Sequence, residues 1–133
     1  MSQSMGSSMD ITFKASEDLS NYQYHFMKLD ADGKVAHCTA NTDIAIGILQ
    51  NKPDAEDKAA LVRISGTSKL WMSATNNEGA LITPADAGSK AGEGEATTTC
   101  LDFIGAIALE AATADNDIIE VLITHFIFTN VAT

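Results

Sequence analysis

Ile44-Ala45-Ile46-Gly47-Ile48-Leu49, the turn Asn51-Lys52-Pro53-Asp54, and then Leu61-Val62-Arg63-Ile64-Ser65-Gly66-Thr67-Ser68-Lys69-Leu70-Trp71-Met72 form the stretch on which the fold turns. The first piece is a short apolar run rich in β-branched residues, which suit a pleated, packed surface. Pro53 presets φ, and Asn51 and Asp54 can bond their own backbone, so the run stops there. Leu61–Ser65 alternates, with Val62 and Ile64 on one face and Arg63 and Ser65 on the other, the pattern of a half-buried strand. Gly66-Thr67-Ser68 is expected to reverse the chain tightly, with Leu70–Ala74 running back. The whole stretch, Ile44–Met72, therefore predicts a meander of strand, turn, strand, reversal, strand.

The flanking sequence adds strands to this meander. Asp10–Ala15 alternates, placing Ile11 and Phe13 on one side and Thr12 and Lys14 on the other. Tyr22–Leu29 predicts a second strand. Asp30-Ala31-Asp32-Gly33 predicts a type I′ hairpin turn, because Asp-Gly tolerates positive φ, and Lys34–Thr39 returns as the third strand. Ala80–Thr83 is a short strand ended by Pro84. Ala85–Thr99 is small and polar and reads as a surface loop with room for one short strand. Asp102–Leu109 predicts a buried strand, Glu110–Asp117 holds a candidate helical turn, and Ile118–Thr124, continued by His125–Val131, predicts the terminal strand. Helix competes only at Ala108-Leu109-Glu110-Ala111-Ala112, which is too short to stand alone. Strands at roughly 8–12-residue spacing predict an all-β fold, a small β-barrel or sandwich of short antiparallel strands. Gly47 and Gly105 each interrupt an apolar strand, and such glycines mark a bulge, a bend or a close backbone neighbour. The expectation is that they mark two bends of a small barrel.

Residues 1–9 contain no large side chain other than methionine. A segment of this composition buries too little to offset its ordering entropy, so it is expected to be a flexible N-terminal arm on a single β domain of residues 10–133. Two readings of the arm stay open: a cloning remnant, or a segment that orders by adding a strand to a partner.

The chain has 133 residues, with eight basic against eighteen acidic side chains and a net charge of −10. An acidic surface repels phosphates and anionic lipids, so neither nucleic acid nor membrane is an expected partner. No apolar run approaches the roughly 18 residues of a membrane span. The N-terminus has neither the basic nor the apolar region of a secretory signal. Cys38 and Cys100 form no framework. A bridge between them cannot be read from sequence, and two unpaired buried thiols are the expectation.

Site chemistry was sought and did not assemble. There is no dinucleotide or Walker motif, and Ala91-Gly92-Glu93-Gly94-Glu95 carries two carboxylates that repel phosphate. His25, His37 and His125 are far apart in sequence. His37 and Cys38 are neighbours that a strand sends to opposite faces, so they predict neither a shared metal nor a Cys–His catalytic pair. A zinc site from His37 and Cys100 would need a further ligand brought in by folding. Asp30-Ala31-Asp32-Gly33 opens like a calcium loop, but Asn41 stands where that loop needs Glu. No Gly-x-Ser-x-Gly is present. The expectation is no enzyme, no metal and no cofactor. Trp71, Phe126 and Phe128 are the aromatics that an oligomer interface would use.

The order of pieces resembles the small capsid cement, or head decoration, proteins of tailed phages. The pieces are Ile46-Gly47-Ile48-Leu49, Val62-Arg63-Ile64-Ser65-Gly66, Glu78-Gly79-Ala80-Leu81, Ile104-Gly105-Ala106-Ile107-Ala108-Leu109-Glu110-Ala111 and Ile119-Glu120-Val121-Leu122-Ile123. The similarity runs from about Ile11 to Ile123. Two features depart from the family: Asp57-Lys58-Ala59-Ala60 stands where a Gly often precedes the Val-x-Ile strand, and the aromatic end after Ile123 has no counterpart. The resemblance implies an all-β protein, made in the host cytoplasm, that trimerises on the outer capsid surface of the virion. There it would clamp neighbouring major capsid protein subunits. With the strand-adding arm, it points to Ser7, Ser8, Met9, Asp10, Ile11, Thr12 and Phe13 as capsid-binding residues.

Two other classes compete. A receptor- or carbohydrate-binding β module of a virion fibre needs exposed aromatics and polar groups clustered in a cleft, and aromatics make up only 6% of the chain. A small β-barrel enzyme needs a perturbed His, Cys or carboxylate in a pocket.

Overall fold

At Gly66 the chain leaves one sheet and enters another, and this corner sets the architecture. In the computed structural model, which describes residues 8–85, 88–99 and 101–127, ten strands form two antiparallel five-stranded sheets. The first sheet has the order β1 (Met9–Lys14), β5 (Ala59–Ser65), β4 (Gly47–Leu49), β2 (Phe26–Leu29), β3 (Val35–His37). The second has the order β6 (Thr67–Trp71), β10 (Ile118–Ile127), β9 (Phe103–Ala108), β7 (Leu81–Pro84), β8 (Gly94–Ala96). The sheets do not close into a barrel, and the fold is a sandwich. No α-helix is present among the described residues.

The predicted reversal at Gly66 is therefore corrected. β5 and β6 do not pair: β6 joins β10, with Thr67 opposite Leu122, and the Gly66 carbonyl accepts a hydrogen bond from the Ile123 amide at 2.9 Å. Gly66 has φ +96, and a Cβ there would sit 2.7 Å from Ser8 Oγ. Both facts demand glycine at the corner. Alternation alone cannot tell a hairpin from a change of sheet, because the two differ in where the next strand finds its partner.

The first sheet is apolar on both faces, which explains the unbroken run before the Pro53 turn. Neighbours Phe26 and Met27, and likewise Ile48 and Leu49, point to opposite sides and are all fully buried. Phe26, Cys38 and Ile48 pack against Leu70, Met72, Ile82, Ala106 and Val121 of the second sheet. On the other side Met27, Val35, Leu49, Ala60 and Val62 form a second core under Ala15 and Leu19. A single parallel bridge between Ala15 and Val35 draws the two edge strands together at one end, so this sheet is curled.

Other elements depart from the sequence reading. Tyr22–His25 is not strand: β2 starts at Phe26, and Tyr24 takes φ +63. The predicted helical turn in Glu110–Asp117 is a loop anchored by an Ala112–Asn76 bridge. The Asp30–Gly33 hairpin stands, as a 3-10 turn with Asp32 and Gly33 both at positive φ. Gly47 and Gly105 are not barrel bends. A Cβ at Gly47 would lie 2.2 Å from the Arg63 carbonyl oxygen, and one at Gly105 would lie 2.7 Å from the Phe26 ring. Met9 is the first residue of β1, and Ser8 already packs on Gly66.

Candidate functional site

Two concave regions and the outer face of the second sheet present side chains at the surface. The first is an apolar groove of about 490 Å³ at the open end of the curled sheet. Ile11 and Phe13 of β1, Leu29, Ile44, Ile46, Ile64, Phe103 and His125 line it. Ile11 and Phe13 face the groove because each is paired with an inward residue of β5, Val62 and Ala60. The groove continues the second core outward, and Ile11 is left 38% exposed, Leu29 54% and Ile44 65%. His125 closes one side by bonding through Nε2 to the Ile46 carbonyl at 2.9 Å.

Among the described residues β1 lies at the edge of its sheet, paired only with β5. Among the same residues its second backbone edge has no strand beside it along most of its length, a template for strand addition. Asp10 anchors the strand from the opposite face, bonding both Arg63 Nε at 2.8 Å and Nη2 at 3.3 Å. Of the residues predicted to bind a capsid, Met9, Asp10, Ile11 and Thr12 are exposed and Phe13 is half-buried. Ser8 is half-buried beside Gly66. Ser7 lies outside the described residues.

The outer face of the second sheet carries two apolar groups, Trp71 with Ile118 and Leu122 with Ile107 and Leu81, separated by the Glu120–Lys69 pair. Ile118 pairs with Trp71, Leu122 with Thr67 and Ile107, and Ile107 with Leu81. Cross-strand partners share a face, so Trp71, Ile118, Leu122, Ile107 and Leu81 all look outward. Phe126, 40% exposed, lies beyond a register shift in the same strand. Phe128 lies outside the described residues.

The second concave region is a cleft of about 470 Å³ at the seam between the sheets. Its walls are Tyr22, Gln23, Tyr24 and His25 of the loop before β2, Trp71 at the end of β6, and Glu93 just before β8. The loop is sewn to both sheets: the Tyr24 amide donates to the Leu49 carbonyl at 2.8 Å, and the Trp71 amide to the Tyr24 carbonyl at 3.0 Å. The Tyr22 ring stacks on His37 at 3.9 Å and meets His25 edge-on at 5.3 Å. His25 Nδ1 bonds the Gln23 carbonyl, leaving Nε2 at 3.9 Å from Glu93 Oε2. Burial holds His25 below the ordinary histidine pKa and lifts Glu93 above the ordinary carboxylate range.

Sequence reasoning missed this cleft. It read Tyr22–His25 as part of a strand and Glu93 as part of a solvated loop. The composition is sparse in aromatics, yet folding gathers two tyrosines and the tryptophan in one place. Trp71, assigned to an oligomer contact, lies beside Ile118 on the outer face and on the cleft wall.

The remaining candidates sit apart. His37 bonds Glu17 through Nδ1 at 2.8 Å, on the face opposite Cys38. Cys38 is a buried free thiol whose pKa is pushed up to about 12 by burial, so it stays protonated. Among the described residues no three His, Cys, Asp or Glu side chains are placed to hold a metal ion.

No protein-family model matches the chain, and no curated protein matches it. Among solved structures, the chain is similar to the N base of head fiber gp8.5 in bacteriophage phi29, with a TM-score of 0.67 over 89% of this chain and 95% of that one. The identity is 15%. The likeness is one of fold.

Proposed function

We propose that this protein is a virion structural protein of a tailed phage, a decoration protein that binds the outer surface of the head and bridges major capsid protein subunits. One observation carries the reading: an open edge strand, β1, runs beside an exposed apolar groove built partly from its own Ile11 and Phe13. An edge strand offers main-chain hydrogen bonds to an incoming strand, and an adjacent apolar groove accepts that strand's side chains. The fold it shares with a phage head fiber base supports the setting. The partner in this reading is protein, with no catalytic step, cofactor, nucleic acid or membrane.

The same reading makes the molecule a homotrimer on the particle, joined through the outer face of the second sheet around Leu122 and Ile107. Contiguous exposed apolar patches mark interaction faces. The test uses expanded heads of the parent virus that lack this protein. Wild-type protein is expected to bind them, and Ile11→Asp to lose at least tenfold in affinity with an unchanged melting transition. Leu122→Asp is expected to lower the oligomer mass in light scattering. Full binding by Ile11→Asp, or wild-type protein that does not bind heads at all, would overturn the reading.

A further inference from the structure

The seam cleft holds a polar atom without a bonding partner. Glu93 is only 7% exposed, and its Oε1 accepts no hydrogen bond among the described residues. Its other oxygen, Oε2, is 3.9 Å from His25 Nε2, too far for a hydrogen bond. A buried carboxylate oxygen left unpaired costs free energy. Tyr24, which lines the same cleft, holds φ +63. A non-glycine residue there is strained. Strain and an unsatisfied carboxylate thus meet in one concavity, where ligand sites are found.

We propose that this cleft binds a saccharide. The volume, about 470 Å³, is that of a small-ligand site. Its chemistry is mixed in the way a sugar ring requires. Tyr24 and Trp71 offer aromatic surface for the C–H face of a pyranose. Glu93 accepts from hydroxyls, Lys52 donates, and Asn21 and Gln23 can do both. Gln23 spends one of its two amide N–H donors on the Gln50 carbonyl at 2.9 Å, which leaves the other donor and the oxygen. A phosphate is disfavoured by Glu93, and a basic peptide by Lys52. Glu93 is the only carboxylate lining the cleft among the described residues. Glycoside hydrolysis uses a pair of carboxyl groups, so the site binds and does not cleave. The inference rests on the cleft alone and is independent of the capsid reading.

Trp71 is the single tryptophan of the chain and lies in the cleft wall, so its fluorescence reports occupancy. The 133-residue protein is titrated with cellotetraose, maltotetraose and chitotetraose, and in parallel with tetralysine and inorganic phosphate. A saturable emission shift with at least one tetrasaccharide is expected, with none from tetralysine or phosphate. Glu93→Gln and Tyr24→Ala are expected to weaken that binding at least tenfold, as loss of a charge-assisted hydrogen bond or a stacking surface does. Saturation-transfer NMR on the unaltered protein is expected to place the ring C–H protons of the sugar closest to the protein, which needs no variant to fold. A shift with tetralysine alone would replace the saccharide with a basic peptide. No shift and no saturation transfer with any tetrasaccharide, or wild-type affinity in both variants, would overturn the proposal.

Discussion

At the scale of single residues, the glycines separate two physical demands. Gly33 needs its conformation: its φ is +73, and a Cβ would meet nothing within 4 Å. Gly47 needs its emptiness, because a Cβ would come to 2.2 Å from a backbone oxygen of β5 that cannot swing aside. Gly33→Ala is therefore expected to cost about 1 kcal/mol, the strain of a left-handed alanine. Gly47→Ala must prise β4 from β5, and its cost is expected to be about 2–4 kcal/mol, as for overpacked cores. Urea unfolding of both variants measures the difference. Equal midpoints would show that the β4–β5 approach is looser than described.

At the scale of elements, β1 is the piece whose attachment matters most, because it is an edge strand with an open side. It is held by a six-residue ladder to β5 and by the two-pronged Asp10–Arg63 pair. That pair is partly exposed, so solvent screens it and its contribution is about 1 kcal/mol. Asp10→Ala is expected to speed amide exchange in Ile11–Phe13 by roughly fivefold, the factor that 1 kcal/mol gives. Exchange in β4 and β9, held in the cores, is expected to stay as it was. Acceleration throughout the molecule would mean that β1 opens only with the whole fold. The same element begins at Met9, which looks like arm by composition but finds a ladder partner in Ser65 on β5.

At the scale of the whole molecule, the seam between the sheets makes stability depend on pH in two opposed ways. His25 has a folded pKa below the ordinary 6.5 because burial penalises its cation. The unfolded chain therefore takes up that proton first, and stability falls as pH drops below about 6.5 until the folded pKa is passed. Glu93 has a folded pKa above 4.5, again through burial. Its contribution favours the fold at low pH and is lost as pH rises from about 4.5 through the folded value. His25→Gln is expected to flatten the fall in melting temperature between pH 6.5 and the folded value. Glu93→Gln is expected to flatten the loss on the rising side. Melting curves of the three proteins from pH 4 to pH 8 check both signs. A His25→Gln curve parallel to wild type would remove His25 from the account.

The sequence by itself determined the class of fold and most of its strands. Alternation in Leu61–Ser65 and Ile118–Thr124, Asp-Gly turn chemistry and Pro84 are local signals, and the elements they specify are where they were expected. The β-branched run before Pro53 was read as a strand, and its burial on both faces came only with the structure. Only the tertiary structure decided which strands pair. Gly66 reads the same in a hairpin and in a corner, and the choice rests on β10, more than fifty residues further along the chain, taking β6 as its partner. The candidate sites divide in the same way. Ile11 and Phe13 were legible as one face of a strand, though the groove they line needs Leu29, Ile64 and His125 from distant segments. The cleft was illegible, because Tyr24 is held at positive φ by hydrogen bonds to β4 and β6, and Glu93 is buried by a loop whose sequence is polar and small. Local propensity acts through neighbours along the chain, whereas burial, strain and the company a side chain keeps are properties of packing.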